Sequence, residues 1–186
     1  MKKINIKKFE ENKGKGTIYN HPDMFDYIDN NGYSIIQYGQ SFSSKEENRQ
    51  YSELITKEFT PYRYSFTYYN NGNLYTEIIS FNNSLLIAKE YNRNGELVKE
   101  TDFDKNFKHS FEQIHDFVLK EKNIDIYDTR QAVALRHDTP RSPLKKYYQI
   151  HVLKSSFVDG QWYSQPNYSF LIADETGQIV KSSEKK

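Results

Sequence analysis

Apolar and polar residues alternate with a period of two along most of this chain, and the alternation breaks at short glycine-containing steps. A period of two sends successive side chains to opposite faces of a strand. Five of the eight glycines stand in turn contexts: Asn31-Gly32, Asn71-Gly72, Asn94-Gly95, Asp159-Gly160 and Thr176-Gly177. Asn or Asp followed by Gly accepts positive φ and closes hairpins. Turns about ten residues apart, flanked by Tyr, Phe, Ile, Val and Thr, predict an antiparallel meander. The clearest stretch has strands at Tyr62–Tyr69, Leu74–Phe81, Ser84–Tyr91 and Glu96–Asp102, with turns at Asn70–Asn73, Asn82–Asn83 and Asn92–Gly95. Upstream, Tyr33–Gln40 and Tyr51–Phe59 read as strands, and Met24–Ile28 as one helical turn.

The period changes after Asp104. Phe111, Ile114, Phe117 and Val118 fall at helical spacing, Ser110 with Gln113 forms a capping box, and Lys120, Lys122 and Asn123 suit a helix C-terminus. The principal helix is expected near 107–122. Strands follow at Thr129–Arg136, Lys145–Lys154, Tyr168–Ala173 and Gln178–Lys181, with a Pro-broken loop at Asp138–Pro143. The expected fold class is α+β: mainly antiparallel β-sheet built of meander hairpins, with the one principal helix packed on a C-terminal antiparallel sheet. Residues 1–16, with six lysines among the first fifteen, read as a flexible basic arm. Residues 17–104 form the meander half and 105–183 the helix-plus-sheet half, together one compact unit.

Composition sharpens this picture. A hydrophobic fraction of 36% and a mean hydropathy of −0.90 would by themselves suggest disorder. Sixteen Tyr and twelve Phe argue for a packed core, because Tyr buries a large ring while scoring as polar. Four alanines in 186 residues disfavour a helical bundle. The absence of Cys removes disulfides, thiolate metal sites and cysteine nucleophiles. Apolar runs stop at four residues, as in Leu85–Ala88, where a membrane helix needs about 18. Met1–Lys8 is followed by Phe9, Glu10 and Glu11 rather than an apolar signal core, so a cytoplasmic location is expected.

The residues that carry chemistry are scattered. His21, His109, His115, His137 and His151 show no metal-binding helical spacing, and Asp23, Asp26 and Asp29 lack the order of a calcium loop. Gly14-Lys15-Gly16 follows no strand and makes no phosphate loop. No catalytic residues, no metal and no cofactor are expected, and the chain reads as a non-enzyme. A net charge of +1 speaks against nucleic acid as a partner. Two loops carry interface-forming side chains, Arg136 and Arg141 in the first, Trp162 and Tyr163 in the second. These four are the candidate partner-binding residues; the alternative for Trp162 and Tyr163 is a strand start facing the core.

A 23-residue offset superimposes Tyr68 on Tyr91, Asn71 on Asn94, Gly72 on Gly95, Leu74 on Leu97 and Glu77 on Glu100. This Tyr-x2-Asn-Gly-x-Leu-x2-Glu pattern, over about 66–100, resembles the MORN-variant repeats of bacterial antitoxin-like proteins. The order helix, strand, strand, then the hairpin around Asp174-Glu175-Thr176-Gly177-Gln178-Ile179-Val180 resembles a PepSY module over about 107–181. Together the resemblances imply a cytosolic immunity protein that binds and neutralises a cognate toxin by occluding it. The alternatives are an extracytoplasmic PepSY-like module binding cell-envelope polymer or inhibiting a peptidase, and a nucleic-acid-binding protein.

Overall fold

The computed structural model describes residues 2–17, 19, 21–41, 49–139 and 144–182. The fold is α+β, with a seven-stranded and a four-stranded antiparallel sheet. The chain divides into two compact units, 1–58 with 62–80 and 85–102, and 59–61 with 81–84 and 103–186.

In the first unit the strands run in chain order: β1 Met24–Ile28, β2 Tyr33–Ser41, β3 Arg49–Lys57, β4 Tyr62–Tyr68, β5 Leu74–Phe81, β6 Ser84–Tyr91 and β7 Leu97–Asp102. The 23-residue repeat is two copies of one hairpin turn. In each, the Gly amide bonds back three residues, Gly72 to Tyr69 and Gly95 to Asn92, both at 2.9 Å. The two turns also bond to each other, Arg93 Nη1 to Asn70 Oδ1 at 3.0 Å and Asn73 Nδ2 to the Arg93 carbonyl at 2.8 Å. Met24–Ile28 is strand β1 rather than a helical turn. Its backbone pairs with β2, and the buried Asp26 carboxylate accepts the Thr17 and Tyr19 amides at 2.8 and 3.0 Å.

The segment expected as a flexible basic arm, 1–16, is over its described residues 2–16 anchored to the core of the first unit. Helix α1, Ile6–Asn12, is capped by the Asn5 side chain, and Ile4 and Phe9 are buried with Tyr51, Phe66, Tyr68 and Leu74. The Ile4 amide bonds the Gly72 carbonyl, and Phe9 meets Tyr51 edge to face at 5.6 Å. The lysines that suggested a mobile segment are held. Lys2 lies 3.4 Å over the Phe66 ring and 2.5 Å from Glu53, and Lys13 is 2.7 Å from Glu10. Their charge hid two apolar anchors too few to register as a periodic pattern.

In the second unit the sheet order is β11-β10-β9-β8, with β8 Ala132–His137, β9 Tyr147–Val158, β10 Gln161–Ala173 and β11 Ile179–Ser182. Helix α2, Phe111–Lys122, has both bonds of the Ser110/Gln113 capping box, and Asn123 ends it at φ 55°. It buries Phe111, Ile114 and Val118. It starts four residues later than expected because the buried Asp174 carboxylate takes the amides of Lys108 and His109 at 3.0 and 3.1 Å, holding them outside the helix. The expected strand at Thr129–Arg136 begins only at Ala132, since Asp128 organises a turn over 128–131. The loop expected at Asp138–Pro143 lies largely outside the described residues, and with it Arg141.

Phe9→Ala should destabilise the chain by about 3–4 kcal/mol in urea unfolding, the usual cost of deleting a fully buried ring. A change under about 0.5 kcal/mol would mean that residues 1–16 are an arm after all.

Candidate functional site

β9 and β10 are twelve and thirteen residues long, and their neighbours cover only part of them. β8 reaches along β9 as far as Val152, and β11 covers β10 over Phe170–Ile172. Beyond these limits, among the described residues, Lys154–Val158 and Gln161–Gln165 pair with each other alone. Five residue pairs make a two-stranded ribbon about 17 Å long. Asp159-Gly160, both at positive φ, close its tip in the two-residue turn that the Asp-Gly step favours. Its base is marked by an irregularity of register between Pro166 and Tyr168.

An isolated ribbon of this kind is marginal in water, and this one is braced by a cation–aromatic stack. Trp162 stands opposite Phe157, with ring centroids 5.4 Å apart. The Arg130 guanidinium lies 4.8 Å from the Trp162 ring and 4.5 Å from the Phe59 ring, and Phe59 meets Trp162 edge-on at 6.3 Å. Asp128 grips the guanidinium with a fork, Nε to Oδ1 at 2.9 Å and Nη2 to Oδ2 at 2.8 Å. The fork fixes the plane of the guanidinium against which the indole packs. Ser155, on the same face of the ribbon, donates to the Arg130 carbonyl and lies 2.7 Å from the Ser164 hydroxyl. Phe59 itself sits at φ 60°, a conformation costing a bulky residue about 1–2 kcal/mol, and the Thr129 amide bonds its carbonyl at 3.0 Å.

Bracing does not bury the ribbon. Phe157 is 60% exposed, Tyr163 53% and Trp162 42%, with Val158 also exposed. Trp162 and Tyr163 therefore do not face a core. Tyr163 occupies the opposite face from Trp162, opposite Ser156, and its hydroxyl donates to Gln161 at 3.2 Å. The result is a pre-set two-stranded arm with exposed apolar side chains on both faces, Phe157 and Trp162 on one and Val158 and Tyr163 on the other, and with Trp and Arg, the side chains that dominate protein contacts, together on the first.

Arg136 belongs elsewhere. Its side chain is 4% exposed, pairs with Asp104, and lies over the Phe107 and Phe111 rings at 4.7 and 5.3 Å. It ties α2 and the segment before it to β8 and has no surface to offer a partner. The residues that sequence reasoning missed are Arg130 and Phe59. Asp128-x-Arg130 is the only local signal for the first; Phe59 joins it from 71 residues away and leaves none. Among the described residues no group of three His, Asp or Glu side chains is placed to hold a metal ion. His115 stacks on Tyr127 at 4.1 Å with Nε2 3.1 Å from Asp125, a packing arrangement. No described helix is long and apolar enough to cross a membrane.

These features define an α+β chain carrying a braced, projecting hairpin. No protein-family model, curated protein or solved structure matches it.

The fork on Arg130 holds the Asp128 carboxyl below the usual carboxylate range. A carboxyl lowered in the folded state stabilises it above the unfolded pKa of about 3.9, and the contribution drains away as pH falls through the folded value. Asp128→Asn should therefore cost about 1–2 kcal/mol at pH 7 and less at pH 2, read by urea unfolding at both. An equal loss at the two pH values would exclude the ionic brace.

Proposed function

We propose that this chain is a cytosolic immunity protein that binds a cognate toxin and blocks it by occupying its working surface, acting by contact and not by catalysis. The observation that carries the reading is the braced ribbon: four exposed apolar side chains on a two-stranded arm whose central Trp162 is already fixed by Arg130 and Phe59. Ordering an arm after encounter costs affinity, and an arm ordered beforehand spares it. The MORN-variant-like repeat and the PepSY-like order of elements support the toxin as the kind of partner. A net charge of +1 argues for a contact led by aromatic and apolar groups over one led by long-range charge.

The chain and the product of its neighbouring toxin gene should co-purify as a 1:1 complex, and co-expression should rescue cells from the toxin. Trp162→Ala with Tyr163→Ala should weaken the complex by at least about 2 kcal/mol, roughly 30-fold, while thermal unfolding shifts little. Wild-type affinity in that double variant would move the contact off the arm. Lack of any toxin in the gene neighbourhood and in pull-downs would remove the immunity reading itself.

A further inference from the structure

An unpaired strand edge presents a row of amide and carbonyl groups to any other chain, and folded proteins close such edges. Among the described residues this chain protects most of its own. The Met24 carbonyl of β1 accepts the Gly14 amide at 2.7 Å. β8 is capped by side chains: Asn82 Nδ2 donates to the Ala134 carbonyl, and the Arg136 amide donates to Ser84 Oγ. β7 carries Lys99 and Glu100, both exposed, and β11 is four residues long. On the β9 side of the arm stand Lys154 and the bond from Ser155 to the Arg130 carbonyl.

Among the described residues the outer edge of β10 on the arm has none of these devices. β11 covers β10 only over Phe170–Ile172, and Gln161-Trp162-Tyr163-Ser164-Gln165 carries no charge in a chain that is 27% charged. The two-residue turn fixes which backbone groups face outward. It closes on Val158 and Gln161 as a hydrogen-bonded pair, and such pairs alternate with open ones along an antiparallel ribbon. Trp162 opposite Phe157 and Ser164 opposite Ser155 are therefore open pairs, whose amide and carbonyl groups on β10 point away from β9. Pro166, which has no amide hydrogen, ends the run.

We propose that this edge pairs with the same edge of a second copy of the chain, antiparallel about a two-fold axis at Tyr163. Paired residues must share a face of the sheet, so the axis passes through a residue and not between two. With the axis at Tyr163, Trp162 of each copy exchanges two backbone hydrogen bonds with Ser164 of the other. An axis at Ser164 sets Trp162 against Pro166, which has no hydrogen to give. An axis at Trp162 sets Ser164 against Gly160, inside the turn. Across the Tyr163 seam, within 161–165, no charge opposes a like charge, and Gln161 faces Gln165. The product is one four-stranded ribbon in the order β9-β10-β10-β9, with Phe157 and Trp162 of both copies on one face. The pairing rests on the geometry of the arm and does not depend on a toxin.

The chain has no Cys, so a single introduced thiol reports the axis. Under mild oxidation Tyr163→Cys should cross-link into a dimer, because an open antiparallel pair sets its Cα atoms about 4.5 Å apart, within disulfide range. Val158→Cys, exposed on the inner strand, should stay monomeric. Sedimentation of the unaltered chain should show a monomer–dimer equilibrium with a Kd of roughly 10–500 μM, in keeping with a small seam. Ser164→Pro removes an outward amide and no hydrogen bond between the arm's own backbones, and Tyr163→Lys sets two like charges face to face. Each should raise that Kd at least about ten-fold with the circular dichroism unchanged. Equal cross-linking of both thiol variants, or unaltered affinity in Ser164→Pro or Tyr163→Lys, would overturn the dimer. So would a chain that stays monomeric to about 1 mM, which would leave the edge to a strand of another protein.

Discussion

A chain this poor in aliphatic residues builds its cores from tyrosine, and every buried tyrosine brings a hydroxyl that must find an acceptor. That requirement organises both units. Tyr68, fully buried, donates to Glu53, which also accepts from Gln37 and pairs with Lys2. Tyr51 donates to Glu10 on α1 at 3.3 Å, and Tyr91 to Glu77 at 3.0 Å. In the second unit the fully buried Tyr148 donates to the His109 carbonyl just ahead of α2. Burial raises the pKa of Tyr68 and Tyr148 well above the phenol range, so both remain protonated donors. The ring supplies burial and the hydroxyl supplies direction, and between them they seat α1 on the meander and tie the approach to α2 to its sheet.

The ordered N-terminus follows from the same economy of apolar groups. The meander offers one face with Tyr51, Phe66, Tyr68 and Leu74, and a single-layer sheet leaves that face wet unless something covers it. Ile4 and Phe9 provide the cover, while the lysines around them stretch to carboxylates and ring faces and keep their ammonium groups near water. A segment that is basic in composition is thus apolar where it touches.

The arm obeys a different rule. It has no core of its own, so its geometry depends on groups at its base: the Asp128 fork, the Arg130 guanidinium and the strained Phe59. Backbone strain held in place by surrounding contacts is frequent at binding surfaces, and here it presents the ring that the guanidinium lies against. The arm is rigid in the middle and open at its rim, the arrangement in which a few large side chains carry most of a protein contact. Arg136 shows why residue type alone misleads. The same guanidinium chemistry, drawn in between Phe107 and Phe111 and paired with Asp104, becomes part of the packing.

The sequence by itself determined the parts set by local rules: the Asn-Gly turns and their 23-residue recurrence, strands β4 to β7, the capping box and C-cap of α2, and hence the α+β class. Those depend on φ preferences, period-two alternation and hydrogen bonds spanning a few residues, all written in neighbouring positions. Only the tertiary structure decided what depends on distant partners. It turned Met24–Ile28 into a strand because β2 was there to pair with it, and it ordered α1 because an uncovered sheet face was there to receive Phe9. It delayed α2 because Asp174, more than sixty residues downstream, claims the amides of Lys108 and His109. It exposed Trp162 and buried Arg136, since β9 and β10 outrun their neighbours while β8 lies under α2's approach. Burial is a property of what lies opposite in space, and no local pattern along the chain records it.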